Sequence, residues 1–227
     1  PDHANASCEH GAQLMATVTS QLESDTTPIE RFDAYVEGVL SGDIVACELV
    51  KLAVTRHVND LERSANGKLP FQFDADVAER LISCVEVLPL CKGREFAGKP
   101  LHLEPWECFI VGSLFGWVDD RGMRRFRVGY VEIARKNGKS TLAAAIGVLL
   151  FLFDGEIGAE VYSAATKRDQ AKIVHSIAKQ MIQQTPALKR QVTILRDNMS
   201  CELNGSKYEP LGADADTTDG LDISGAI

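Results

Sequence analysis

The sequence predicts an α/β fold, a parallel sheet carrying a phosphate-binding loop and preceded by a helical region. Three observations point there. A short apolar, β-prone run, Val128 to Ile133, leads through a tight turn into Gly138-Lys139-Ser140. The stretch after it, Leu142 to Phe151, is apolar almost all round, as in a helix buried on most sides. A second strand-like run, Ala159 to Ala165, follows, so strand and helix alternate as they do in a parallel sheet.

The elements can be justified in order. Residues 1–27 are polar and Ser/Thr-rich and read as a partly mobile lead-in. From Pro28 to about Ser41, Ile29, Phe32, Tyr35, Val36, Val39 and Leu40 recur at helical spacing. Ser41-Gly42-Asp43 breaks that helix, and a second is expected from Ile44 to Arg63, with Val45, Leu49, Leu52, Val58 and Leu61 along it. Gly67 to Phe73 reads as a loop and Val77 to Leu88 as a third helix behind Asp74 and Asp76. The helical region therefore covers 1–103. The second part, 104–227, opens on Leu103-Glu104-Pro105-Trp106-Glu107, where Pro105 suits the first turn of a helix that runs to Trp117. Asp119 to Gly122 is a turn. A helix from Thr166 to Gln184 is expected to be capped by Thr166 and stopped by Pro186. Short strands are expected at Val192–Leu195, Met199–Leu203 and Lys207–Glu209. Gly212 to Gly220 is an acidic loop, and Ser224-Gly225-Ala226-Ile227 begins another strand.

Composition narrows the function. The chain of 227 residues is 45% hydrophobic, ample for a packed interior. A net charge of −8 argues against nucleic-acid binding by bulk charge; a DNA-handling role needs a local basic patch or other subunits. The six cysteines, Cys8, Cys47, Cys84, Cys91, Cys108 and Cys201, lie far apart with no zinc spacing, and most read as buried thiols in a reducing compartment. The longest apolar run, Leu142 to Phe153, is too short and Ala-rich to span a bilayer.

The full phosphate-loop pattern is G-x-x-x-x-G-K-[ST]. Gly138, Lys139 and Ser140 match it, and Ile133 stands at the first glycine position. Three matched residues also occur by chance in solvated turns; the strand before and the buried helix after favour a phosphate site. In such a site turn amides and the positive end of a helix face an anion, a lysine reaches the outer phosphates and a hydroxyl ligates Mg²⁺. Arg135 and Lys136 make the turn basic, which is either plain solvation or charge complementarity to phosphate.

Taken together, Leu103-Glu104-Pro105-Trp106-Glu107, Phe126-Arg127 through Thr141, Glu160-Val161-Tyr162-Ser163-Ala164-Ala165-Thr166-Lys167-Arg168-Asp169-Gln170-Ala171, Asp219-Gly220-Leu221-Asp222-Ile223-Ser224-Gly225-Ala226-Ile227 and, in the helical region, Gly42-Asp43-Ile44-Val45-Ala46-Cys47-Glu48-Leu49 carry a resemblance. The chain resembles the ATPase part of the terminase large subunit of tailed bacteriophages, the DNA-packaging motor protein. The first glycine of the loop is commonly absent in that family, so Ile133 fits it. The resemblance implies an additional-strand, helicase/terminase-like P-loop NTPase core using ATP and Mg²⁺. Lys139 would hold the β/γ-phosphates, Ser140 would ligate Mg²⁺ and Arg135 would stabilise the γ-phosphate, making Lys139 and Arg135 the catalytic pair. The nucleotide surface would comprise Arg135, Lys136, Asn137, Gly138, Lys139, Ser140 and Thr141. Trp106 and Glu107 would lie at the adenine, although Trp106 also reads as a core aromatic. Implied partners are double-stranded DNA, the small terminase subunit, the portal and prohead, and further copies in a ring on the portal. The implied location is the host cytoplasm, without membrane.

The family's Walker B strand ends in two carboxylates, which would fall just past Ile227, and a nuclease domain would follow. The sequence thus reads as a fragment or a truncated product. Asp214, Asp216, Asp219 and Asp222, ahead of the last strand, read as a solvated loop rather than as substitutes. Two other functions compete: a nucleotide-binding but hydrolysis-deficient fragment or assembly module, and a helicase-like translocase. Lys167, Arg168 and Lys172 form either a solvated helix face or a DNA contact. His57, His102 and His175 lack ligand spacing, and Ser163 and Cys108 lack a nucleophile setting.

Overall fold

The computed structural model describes residues 26–212 and 220–227. The expected mobile lead-in up to residue 25, Cys8, and Asp214, Asp216 and Asp219 lie outside the described residues. The rest divides into two units: one holds the described residues up to Ser83 together with His102–Glu132, the other Cys84–Leu101 together with Ile133–Ile227. The division does not fall at residue 103, because the helix opened by Pro105 packs with the first described helix, Pro28–Ser41.

In the first unit, helix α1 spans Pro28–Ser41. A capping box sets its start: the Thr27 hydroxyl accepts from the Glu30 amide (3.2 Å) and the Glu30 carboxylate accepts from the Thr27 amide (2.7 Å). Gly42, at φ 90°, ends it. Helix α2 runs Glu48–Ala65 and not from Ile44. The Ile44 amide instead bonds the Gly38 carbonyl (2.8 Å), and its side chain seats on Gly38. The expected apolar stripe is not the inner face of α2: Val45 and Leu49 are 97% and 71% exposed. The inner face carries Val54, His57 and Asp60, whose polar groups have partners. Trp117 Nε1 donates to His57 Nδ1 (3.2 Å), and Asp60 receives Arg63 (2.8 Å) and Arg125 (2.7 Å). Helix α3, Ala75–Val87, starts where the Asp74 carboxylate accepts from the Val77 amide (2.9 Å). Helix α4 is Pro105–Gly116. Strand β1, Gln72–Phe73, falls in the expected loop and pairs antiparallel with β2, Trp117–Val118. Phe32, fully buried, stacks on Phe73 (5.2 Å) and touches His57 and Phe109.

In the second unit, helix α5 (Lys139–Leu152) and helix α6 (Arg168–Gln184) pack on one another and on a five-stranded sheet. Its strands are β3 (Glu160–Ala164), β4 (Val192–Ile194), β5 (Met199–Cys201), β6 (Ser206–Leu211) and β7 (Ile223–Ala226), in the order β4-β5-β6-β3-β7. Only β6, β3 and β7 are parallel; β4, β5 and β6 form an antiparallel meander, so the sheet is mixed where a parallel one is expected. Apolar residues surround α5 because it packs on both α6 and the sheet, and α6 turns Ala171, His175, Ala178, Met181 and Ile182 inward. Lys167, not Thr166, is the N-cap of α6, and it makes no side-chain cap; Thr166 reaches the Gln170 side chain instead (3.5 Å). Pro186 opens a one-turn helix α7, Pro186–Lys189.

One expectation fails outright. Residues 126–134 form no strand, and Val128 and Tyr130 are 86% and 81% exposed. A strand persists through its ladder with neighbours. Both sides of β3 are taken by β6 and β7, and this segment pairs with no described strand.

Candidate functional site

The direction of α5 follows from two close approaches to β7. Gly225 lies against Leu150, while Ile227, two residues further along the strand, lies against Gly147, three residues earlier in the helix. Helix α5 therefore runs antiparallel to the parallel strands, and its first turn sits at their C-terminal ends. The Phe151 carbonyl agrees: it accepts from Asn204 (3.2 Å), just ahead of β6. Carboxyl ends of parallel strands are where α/β sheets bind ligands. The start of α6 shares that edge, since the Arg168 backbone packs on Gly212, past the end of β6.

Gly138 caps α5 in the left-handed conformation, φ 74°, and its carbonyl accepts from the Thr141 (2.8 Å) and Leu142 (3.0 Å) amides. No side chain caps the helix start and no acidic residue lies in its first turn. The Lys139 and Ser140 amides therefore have no side-chain cap at the positive end of the helix, the kind of place that favours an anion. Lys136 also has a positive φ, 71°, and the Asn137 side-chain amide donates to the Ala134 carbonyl (3.4 Å) across it. Residues 134–140 are all exposed, so the loop offers its backbone and side chains to solvent.

Arg135, Lys136, Asn137, Gly138, Lys139, Ser140 and Thr141 are thereby gathered on one turn at one sheet edge. Trp106 and Glu107 belong to the other unit, in the first turn of α4. Trp106 is half-buried, and the Glu107 carboxylate accepts from the Glu104 amide (3.0 Å) in a capping box. The left-handed residue Lys136 is a feature the sequence hides, because only a glycine there would have signalled it.

Asp222 is not at this edge. It precedes β7 beside Glu160, the first residue of β3, at the opposite end of the sheet. There the Tyr162 hydroxyl (2.7 Å) and Lys207 (2.9 Å), with the Asp222 amide, hold the Glu160 carboxyl below the usual carboxylate range. On α6, Lys172 (3.0 Å) and Arg168 (3.9 Å) face Asp197, whose carboxyl Lys172 holds below its usual range. Two of the three candidate DNA cations are therefore partly neutralised, and Lys167 is exposed. Among the described residues no cluster of His, Cys, Asp and Glu could hold a metal, the described cysteines are free thiols, and no helix is long and apolar enough to cross a membrane.

Fold and loop together define an α/β protein whose buried helix presents a basic, exposed turn at the carboxyl edge of a mixed sheet. The family model for the terminase large subunit, ATPase domain, matches residues 105–227, more than half of the chain, and the chain belongs to that family. It is similar to the terminase large subunit of Enterobacteria phage HK97, at 29% identity over 150 residues, 63% of this chain and 28% of the relative. It is also similar to the crystal structure of the HK97 large terminase, with a TM-score of 0.51 and 27% identity over 64% of this chain and 29% of that one. The chain spans less than a third of these relatives' length.

Proposed function

We propose that the chain is the ATPase motor portion of a terminase large subunit: a P-loop NTPase core that binds ATP with Mg²⁺ and couples hydrolysis to packaging of double-stranded DNA into a prohead in the host cytoplasm. The observation that carries this is the uncapped start of α5, Gly138-Lys139-Ser140, at the carboxyl edge of the strands in a chain of this family. The first-turn amides and Lys139 cradle the β- and γ-phosphates, Thr141 closes the turn, and Arg135 faces the charge that grows on the γ-phosphate. Ser140 offers the hydroxyl that would hold Mg²⁺, and the metal supplies neutralisation of phosphate charge. Trp106 and Glu107 serve the adenine end. The small terminase subunit, the portal and further copies of the chain are the partners this role requires.

Lys139→Ala tests the binding step. Calorimetry should show ATP binding abolished with the circular dichroism spectrum unchanged; equal affinity in the variant would refute the site.

The position of Asp222 favours a second reading, in which the described residues bind nucleotide and hydrolyse it little. A positioned base is worth about 10²–10⁴-fold in rate, and Asp222 lies at the wrong edge of the sheet to provide one. Turnover by this chain that Asp222→Asn abolishes would exclude that reading.

A further inference from the structure

We propose that Lys136 is a positioning residue that works through its backbone: it holds the left-handed turn that aims the loop's amides, and does not act as a cation on phosphate. The inference rests on the phosphate-loop reading and asks how the loop keeps its shape.

Every other described residue with a positive φ is glycine; Lys136, at 71°, is the exception. A side chain with a Cβ is strained in that conformation. Such strain persists where the surroundings impose it, and it concentrates at ligand clamps. Here both flanks are fixed. The Asn137 side chain is tied back to Ala134 across Lys136, and the Gly138 carbonyl is held by the Thr141 and Leu142 amides. Lys136 and Gly138 are both left-handed and Asn137 between them is not. Alternating handedness along a turn swings successive amides to one side and makes an anion-binding concavity. The Lys136 side chain is exposed, on a loop that already offers Lys139 and Arg135 as cations. What position 136 uniquely adds is therefore the φ angle.

The two roles predict opposite orders of affinity. If the backbone matters, affinity follows the ease of reaching φ near 70°, because only the fraction of loops in that shape binds. Calorimetric titration of the 227-residue chain with MgADP should then show Lys136→Gly and Lys136→Asn binding about threefold tighter, and Lys136→Val about tenfold weaker. Lys136→Met, uncharged but similar in shape to lysine, should fall between them, with the salt dependence of the parent chain. If all four variants weaken alike and lose salt dependence, Lys136 is a phosphate-contacting cation and the inference is overturned. Lys139→Ala, run alongside, separates the two failures. Loss of binding there upholds the site, and the order of affinities in the Lys136 series then decides what Lys136 does. Undiminished binding overturns the site and this inference with it.

Discussion

Gly147→Ala probes how tightly the helix behind the phosphate loop is seated. A methyl group at this position would lie 2.6 Å from the Tyr208 hydroxyl oxygen, 3.0 Å from Tyr208 Cε1 and 3.0 Å from Ile227 Cδ1. Alanine is favoured over glycine inside a helix by about 1 kcal/mol, and overpacking a filled core costs about 1–3 kcal/mol. Tyr208 cannot swing away. It is fully buried, its ring packed edge-on to His175 (5.2 Å) and against Phe151 (6.2 Å). The upper part of that range applies, and the net loss is about 1–2 kcal/mol. Native-state hydrogen exchange should read it as an approximately 5–30-fold fall in protection of the α5 amides. Tyr208→Phe removes the oxygen that makes the shortest contact, so the double variant should recover about 1 kcal/mol relative to additivity. Greater protection in Gly147→Ala, or strict additivity with Tyr208→Phe, would show that α5 is free to shift and that the close approach does not fix it.

Asp60→Ala should destabilise by about 3 kcal/mol in urea unfolding, since it strips Arg125 of its buried carboxylate, whereas Asp60→Leu with Arg125→Met should lose less than Asp60→Ala alone. Burial depresses the His57 imidazole to about 4 from 6.5, so it is neutral in the folded chain and takes up a proton on unfolding below pH 6.5. Stability should therefore be full above pH 6.5 and fall by up to about 3 kcal/mol as pH drops toward 4. His175, depressed by burial in the same direction, adds to the slope, and His57→Gln should flatten it in part. Arg135→Ala should lower ATP turnover by about 10²-fold and affinity much less, by the logic of arginine fingers; equal losses in steady-state and binding assays would make Arg135 an ordinary binding residue.

Much of this was legible in the chain. The helix from Pro28 to about Ser41 could be read because its apolar spacing and the break at Gly42 are local signals that tertiary contacts leave intact. The all-round apolar α5 announced its burial. Two misreadings have tertiary causes. The stripe Val45, Leu49 and Leu52 reads as a core face, yet α2 turns His57 and Asp60 inward, because Trp117, more than fifty residues away, and Arg125 satisfy them. Val128 to Ile133 has the composition of a buried strand, but strand formation belongs to the pair, and this segment pairs with no described strand. At the site, Gly138, Lys139 and Ser140 could be read from their spacing, while the φ of Lys136 is a property of the folded loop that no residue identity reports.

The interleaving of the two units also bears on how the molecule is made. Cys84–Leu101 groups with residues from Ile133 onward, although it is synthesised before His102–Glu132, which completes the other unit. Leu88 and Leu101 end almost fully buried, and the Leu101 amide bonds the Leu88 carbonyl. At about 5–20 residues per second, the stretch from Ile133 to Ile227 takes roughly 5–20 s to emerge. Through that interval Leu88 and Leu101 lack the later-made residues of their own unit, so their burial is completed only after the whole of the other unit has been made.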